Sequence, residues 1–535
     1  MAFAIYLRHQ RDFQPEHPQI LEKNINDPNV RFTFVDFIPG VIKPAGSVMS
    51  QSSVEYHSFS TMIKVANQWL QNHHDEWEFI NGETIIIPIK YNDQNQCYEL
   101  KTNDCCYYIY GSETNNVLRA FRLWIRRRRR RQLHKRQNNQ QICFKDIIPR
   151  MKNDITCEFE DLDDVIKRFN DEIIQNNGFD GRILAIESAS YDANLEWEIN
   201  TEQTLSILST KNLFILRIFY ETLNNDNQEK LLIQIGIEDF HPRQLTRSTF
   251  FRRPKFECFD QVIERGSLWL RQQTNQQRQR QFLNAQSLDV KMKSTNPKNG
   301  SRSMAFTEHG AYMRIFRICF FESIESESSI LQQQQQQQQS SSPPPMINLG
   351  NRLFTPTKRT DTITDIVQQL HDWIKHYTEK LRLRQKTLDD MDEIMMMTKE
   401  SSSSSSPPLI NDDVDDDRIL SAETVEIFMK ELPTNRSDIE RAANDDTFLV
   451  NRFGNKNAYL FFSFRLFYDS TLTMISDSIT NMTNLSETMS TISSNADSSW
   501  TIDICSNDNN NNDDDDDDDK QTDQKSLLSE STITT

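Results

Sequence analysis

Phe121-Arg122-Leu123-Trp124, Leu216-Arg217-Ile218-Phe219, Phe316-Arg317-Ile318-Cys319 and Phe464-Arg465-Leu466-Phe467 are four copies of one short pattern. Each sets an arginine among large apolar residues, in a run rich in strand-forming side chains. Repetition of this kind says that one structural unit was copied, so the function is one that copied units can perform.

The pattern extends upstream of the arginines. Each unit opens on a β-rich run closed by proline: Asp36-Phe37-Ile38-Pro39, Asp146-Ile147-Ile148-Pro149, Asp239-Phe240-His241-Pro242 and a worn Leu353-Phe354-Thr355-Pro356. A second short run follows in three of the units, as Val54-Glu55-Tyr56, Cys157-Glu158-Phe159 and Phe256-Glu257-Cys258. Next comes an apolar stripe at spacings of three, four and seven, which predicts a helix of about three turns. Its members include Phe59, Met62, Ile63, Ala66 and Trp69 in the first unit, and Ile363, Ile366, Val367, Leu370 and Trp373 in the fourth. Trp269 holds the tryptophan position in the third unit, whereas the second has Glu172 there. A strand carrying an acid or amide before a hydroxyl comes after the helix: Glu83-Thr84, Glu187-Ser188, Gln286-Ser287 and Glu423-Thr424. Middle strands are expected at Tyr107-Tyr108-Ile109-Tyr110 and Glu196-Trp197-Glu198-Ile199, before each unit closes on its arginine strand.

The fold class is therefore α+β, with four related repeat units, each a helix packed on a mainly antiparallel sheet. Boundaries fall at 28–136, 137–227, 228–325 and 347–470, with a Gln/Ser/Pro linker at 326–346. Polar tracts followed by prolines bury too little surface to fold, so the linker and the Ser/Asp-rich insert at 401–417 are expected to be disordered. Residues 471–535 read as a disordered acidic tail. That tail carries −12 of the formal charge of −18, and five acids lie in 411–417, leaving the repeats nearly neutral. A neutral body exerts no general pull on nucleic acid or anionic membranes. No segment reads as a membrane span or a secretory signal, and eight cysteines dispersed over 535 residues suit an intracellular, reducing setting, cytoplasmic or nuclear.

Alternation along a strand puts Arg122, Arg217, Arg317 and Arg465 on one face of their sheets. The acid positions supply cross-strand partners, so Arg122 is expected opposite Glu83, Arg217 opposite Glu187, Arg317 opposite Gln286 and Arg465 opposite Glu423. Such pairs either register two strands or bind an anion. A dense basic run, Arg126, Arg127, Arg128, Arg129, Arg130 and Arg131 with Lys135 and Arg136, is read as a linker beyond the first arginine strand. It is a candidate nuclear address or nucleic-acid contact.

Enzyme signatures are missing. The chain holds twelve glycines, none in a phosphate-cradling or nucleophile-elbow context, and no metal-ligand spacing, so no cofactor is expected. His73-His74-Asp75-Glu76 points its side chains to different sides and reads as a solvated loop. The leading expectation is a non-catalytic protein-interaction scaffold. A nuclear or RNA-associated protein using the basic run is the second reading, and a ligand-binding protein or enzyme with a pocket between units is the third.

Overall fold

The computed structural model describes residues 17–43, 54–92, 97–108, 116–128, 141–222 (except 177 and 208–210), 233–246, 254–274, 280–292, 301–323 (except 308–310), 347–398, 418–429, 433, 436–450 (except 446) and 459–471. The linker, the insert at 401–417 and the tail from 472 lie outside them. The described residues, from 17 to 471, belong to one compact unit.

β1 (Gln19–Glu22) precedes the expected start of the first unit at 28 and adds an edge strand to its sheet; the unit itself contains β2 (Phe32–Ile38), β3 (Val41–Lys43), β4 (Glu55–Tyr56), α1 (Phe59–Asn72), β5 (Trp77–Asn92), β6 (Cys97–Leu100), β7 (Cys106–Tyr108) and β8 (Asn116–Arg127). The second contains β9 (Ile142–Ile147), β10 (Met151–Asn153), β11 (Glu158–Phe159), α2 (Leu162–Gln175), β12 (Gly181–Asp192), β13 (Leu205–Ile207) and β14 (Lys211–Thr222). The third contains β15 (Ile233–Phe240), β16 (Gln244–Thr246), β17 (Lys255–Phe256), α3 (Phe259–Thr274), β18 (Arg280–Lys291), β19 (Ala305–Thr307) and β20 (Ala311–Ser323). The fourth contains β21 (Leu349–Phe354), α4 (Ile363–Thr398), β22 (Ile419–Met429), α5 (Arg436–Asn444), β23 (Phe448–Val450) and β24 (Tyr459–Asp469).

Among the described residues the four large sheets share one antiparallel plan, and three two-stranded sheets, β3–β4, β10–β11 and β16–β17, accompany them. The arginine strand (β8, β14, β20, β24) is central, with the opening strand on one side and the acid strand on the other. The opening strand pairs with the C-terminal half of the arginine strand. The open remainder is filled from the next unit: β13 pairs with β8, β19 with β14 and β23 with β20. The fourth sheet takes β7 from the first unit, which makes the order of sheets cyclic.

Helix placement follows the same cycle. The stripe of α1 packs on Phe37, Phe121 and Leu123 of its own sheet, and also on Ile142, Ala185 and Phe219 of the second. Likewise α2 meets Ile233 and Ile235 of the third sheet, α3 meets Leu349 and Phe467 of the fourth, and α4 meets Phe32, Phe34 and Trp124 of the first. A two-sided apolar environment explains the broad stripes, since each helix must cover two sheets. Local signals start the helices. Ser58 caps α1 through the Thr61 amide, and Asp161 with Asp164 forms a reciprocal capping box on α2.

Three sequence expectations change. Glu196–Ile199 is not a strand; Asn194 Oδ1 accepts from the Glu196 and Glu198 amides, and Trp197 takes a positive φ of 65°, so the chain turns. The short strand of that unit is β13. Helix α4 runs 36 residues, because neither glycine nor proline interrupts 363–398. Trp69 is buried, at 3 % exposure, while Trp269 and Trp373 are half-buried on Phe240 and Phe320, and on Phe354 and Tyr468.

Candidate functional site

The four arginines are almost fully buried, at 0–3 % exposure. Each occupies the middle of a central strand and therefore has a register partner on both sides. Arg122 stands opposite Asp36 on β2 and Glu83 on β5, and Arg217 opposite Asp146 and Glu187. Arg317 stands opposite Asp239 and Gln286. The guanidinium fork goes to the aspartate. Arg122 Nε and Nη2 lie 2.7 Å from the two Asp36 oxygens, and Arg217 and Arg317 bind Asp146 and Asp239 bidentately at 2.7 and 2.8 Å. The aspartate belongs to the repeated Asp-x-x-Pro run of the opening strand, so the arginine's main partner is this residue and not the expected acid or amide. In the fourth unit Leu353 takes the aspartate's place. Arg465 then turns to Glu423, with Nη1 at 3.3 Å, and its Nε has no acceptor among the described residues.

The acids serve the joints between units. Thr84 of the first unit donates its amide (2.5 Å) and hydroxyl (2.8 Å) to Glu187 of the second, while its oxygen accepts Arg217 Nη1 at 2.9 Å. Thr424 does the same for Glu83 and Arg122, linking the fourth unit to the first. Ser188 donates its amide to Gln286 at 3.0 Å and accepts Arg317 Nη1 at 2.7 Å. Ser287 donates amide and hydroxyl to Glu423, both at 2.6 Å. Thus a hydroxyl from one unit bridges the arginine and the acid of the next at the Thr84 and Thr424 joints, whereas Ser188 meets Arg317 with its hydroxyl and Gln286 with its amide, and Ser287 binds Glu423, which Arg465 reaches directly. A β-bulge three residues before each acid aligns this register, at Ile80, Leu184, Leu283 and Leu420.

Charge at this hub is uneven. In the first two units one guanidinium faces two carboxylates, an aspartate and a glutamate. Burial raises Glu83 to about 7 despite Arg122 and the Thr424 and Trp124 hydrogen bonds, and burial also raises Glu187 and Glu423. Burial would raise Asp239 too, but the Arg317 charge and its hydrogen bond outweigh it and hold that carboxyl below its ordinary value. Arg465 lacks such an aspartate. Its burial, only partly offset by Glu423, lowers it to about 10.

Where the acid strands converge they line a partly open cavity of about 130 Å³, formed by Glu83, Glu187, Gln286 and Glu423 with their following hydroxyls, and by Arg119, Ser190, Asp289, Arg314 and Glu426. Arg119 and Arg314 lie three residues before the repeated arginines, and nothing in the repeat pattern marked them. They are legible only as departures from it, since the second and fourth units have Phe214 and Phe462 there.

The basic run is not wholly a linker. Strand β8 extends through Arg127, so Arg126 and Arg127 belong to the sheet. Arg126 binds Glu78 at 2.5 Å, Arg127 donates to the carbonyls of Val30, Ile25 and Asp27, and Arg128 donates to the Trp77 carbonyl. Arg129, Arg130, Arg131, Lys135 and Arg136 lie outside the described residues. His73 and His74 bond helix carbonyls through Nδ1, and no metal-binding cluster occurs among the described residues. Among those residues, no helix is long and apolar enough to cross a membrane. Comparison with protein-family models, curated proteins and solved structures finds no match to this chain.

Proposed function

We propose that the chain is a non-catalytic interaction scaffold, a ring of four copies of one α+β unit that displays its variable connections to protein partners. One observation carries this reading. The residues repeated four times, which would be the natural places for repeated chemistry, are instead spent on joining the units. A polar network whose members satisfy one another rigidifies a framework. The Gln-rich and Ser-rich stretches at 332–345 and 401–417 are inserted between framework elements, a placement suited to recruiting partners. Six described cysteines are unbridged, which agrees with an intracellular setting.

Affinity capture with the intact protein from extract of its own cells, with and without nuclease, tests the reading. The same set of proteins should be retained in both arms. Retention that disappears with nuclease would transfer the function to nucleic acid through the Arg126–Arg136 run, and absence of any specific retention would sink the scaffold.

A further inference from the structure

Three residues beyond the joints, the hub has a second layer, and there the repetition stops. Its cross-strand pairs are Ile86 with Arg119, Ser190 with Phe214, Asp289 with Arg314, and Glu426 with Phe462. The inner layer is nearly the same four times, as ring closure requires. The second layer differs four ways around one cavity, as recognition of an asymmetric molecule requires.

Its two arginines are in different states. Arg314 is committed, with Nε at 2.9 Å and Nη2 at 3.1 Å from Asp289 and Nη2 at 2.9 Å from the Glu426 carbonyl. Arg119 is 3 % exposed and reaches Asp192 with Nη2 at 3.1 Å, but its Nε has no acceptor among the described residues. A buried guanidinium donor without an acceptor is costly, and an incoming carboxylate would satisfy it. The same cavity is lined by Glu83, Glu187, Glu423, Asp289 and Glu426; Arg122, Arg217 and Arg465 stand beside the first three and Arg314 holds Asp289, but those arginines and Arg119 also serve Asp36, Asp146 and Asp192, so eight acids meet five arginines. A positive group is therefore wanted beside them. At about 130 Å³, the space approaches the roughly 150 Å³ of an engineered cavity that holds benzene, so it suits a ligand of about six heavy atoms.

We propose that the hub binds a small zwitterion of the amino-acid class, its carboxylate on Arg119 and its ammonium toward Glu187, Glu423 and Glu426. This site goes beyond the scaffold reading and does not depend on it. The test is thermal unfolding and calorimetry of the full chain with glycine and L-alanine, and with acetate and methylammonium as half-ligands at constant ionic strength. Either amino acid should raise the unfolding midpoint in a concentration-dependent way, and each half-ligand should bind about tenfold more weakly or worse. Arg119→Lys keeps the charge but loses the planar fork, so affinity should fall about tenfold. Ser190→Met fills the cavity while leaving the Arg119–Asp192 pair in place, and should abolish binding even if the Arg119 variant folds poorly. No shift with either amino acid, equal binding of acetate or methylammonium alone, or undiminished binding by Ser190→Met would each overturn the proposal.

Discussion

Replacing Arg217 by methionine tests how the hub is built, because the structure ranks its two acidic neighbours. Arg217 has no exposed surface, binds Asp146 bidentately at 2.7 and 2.8 Å, reaches Thr84 at 2.9 Å, and sits 3.8 Å above the Phe59 ring. Removing one partner of a buried pair costs about 3–5 kcal/mol, and a desolvated cation–π contact adds about 2, so Arg217→Met should cost about 5–7 kcal/mol. The second substitution discriminates. Asp146→Leu added to Arg217→Met removes the bare carboxylate and should return about 2–4 kcal/mol, leaving Glu187 held by Thr84. Glu187→Leu added instead leaves Asp146 uncompensated and should return only about 1 kcal/mol. Urea unfolding of the full chain, followed by tryptophan fluorescence, gives all four free energies. Larger recovery through Glu187 than through Asp146, or a single variant within about 1 kcal/mol of the parent, would refute the reasoning.

Three further outcomes are expected. Glu83 rises from its ordinary 4.5 to about 7, so the folded ring binds an extra proton between those values. The resulting stability, about 3 kcal/mol, is fully present below pH 4.5, is lost as pH climbs through about 7, and should vanish from the pH profile of Glu83→Gln, for which Gln286 is the natural precedent. Thr84→Val deletes the hydroxyl between Arg217 and Glu187 and should cost about 1–3 kcal/mol in urea unfolding, whereas Thr84→Ser, matching Ser188 and Ser287, should cost much less. Arg127→Gln should lower the melting midpoint of the full chain, because that side chain serves three backbone carbonyls and covers the Trp77 ring at 4.7 Å; an unchanged midpoint would restore the linker reading for this residue.

The helices, the arginine strands and their register to the acids could be read from the chain because each is a local periodicity seen four times. The bulges at Ile80, Leu184, Leu283 and Leu420 could not. An inserted residue breaks strand alternation and looks like a short apolar run. The hydrogen bonds of the joints were hidden for another reason. The hydroxyl after each acid was plain, but alternation turns it from its own arginine, and its partner lies in another unit. Burial likewise misled on the tryptophans: equivalence in sequence did not make Trp269 and Trp373 as enclosed as Trp69, since each helix lies between two different sheets.

The cyclic strand exchange also bears on how the chain reaches its native state. Three of the exchanged strands come from residues roughly 90 to 135 positions along the chain, but β7 and β24 are separated by roughly 350, and the logarithmic cost of loop closure makes that meeting only about 1 kcal/mol harder. The distance matters more for timing than for equilibrium. During synthesis, Tyr107 and Trp124 must wait for the last arginine strand, with the apolar faces that will meet α4 and β24 exposed until about residue 469 has emerged. The first sheet is thus the earliest to be made and the last to be covered, and the interval between those events is when this chain is most exposed to aggregation or to capture by chaperones.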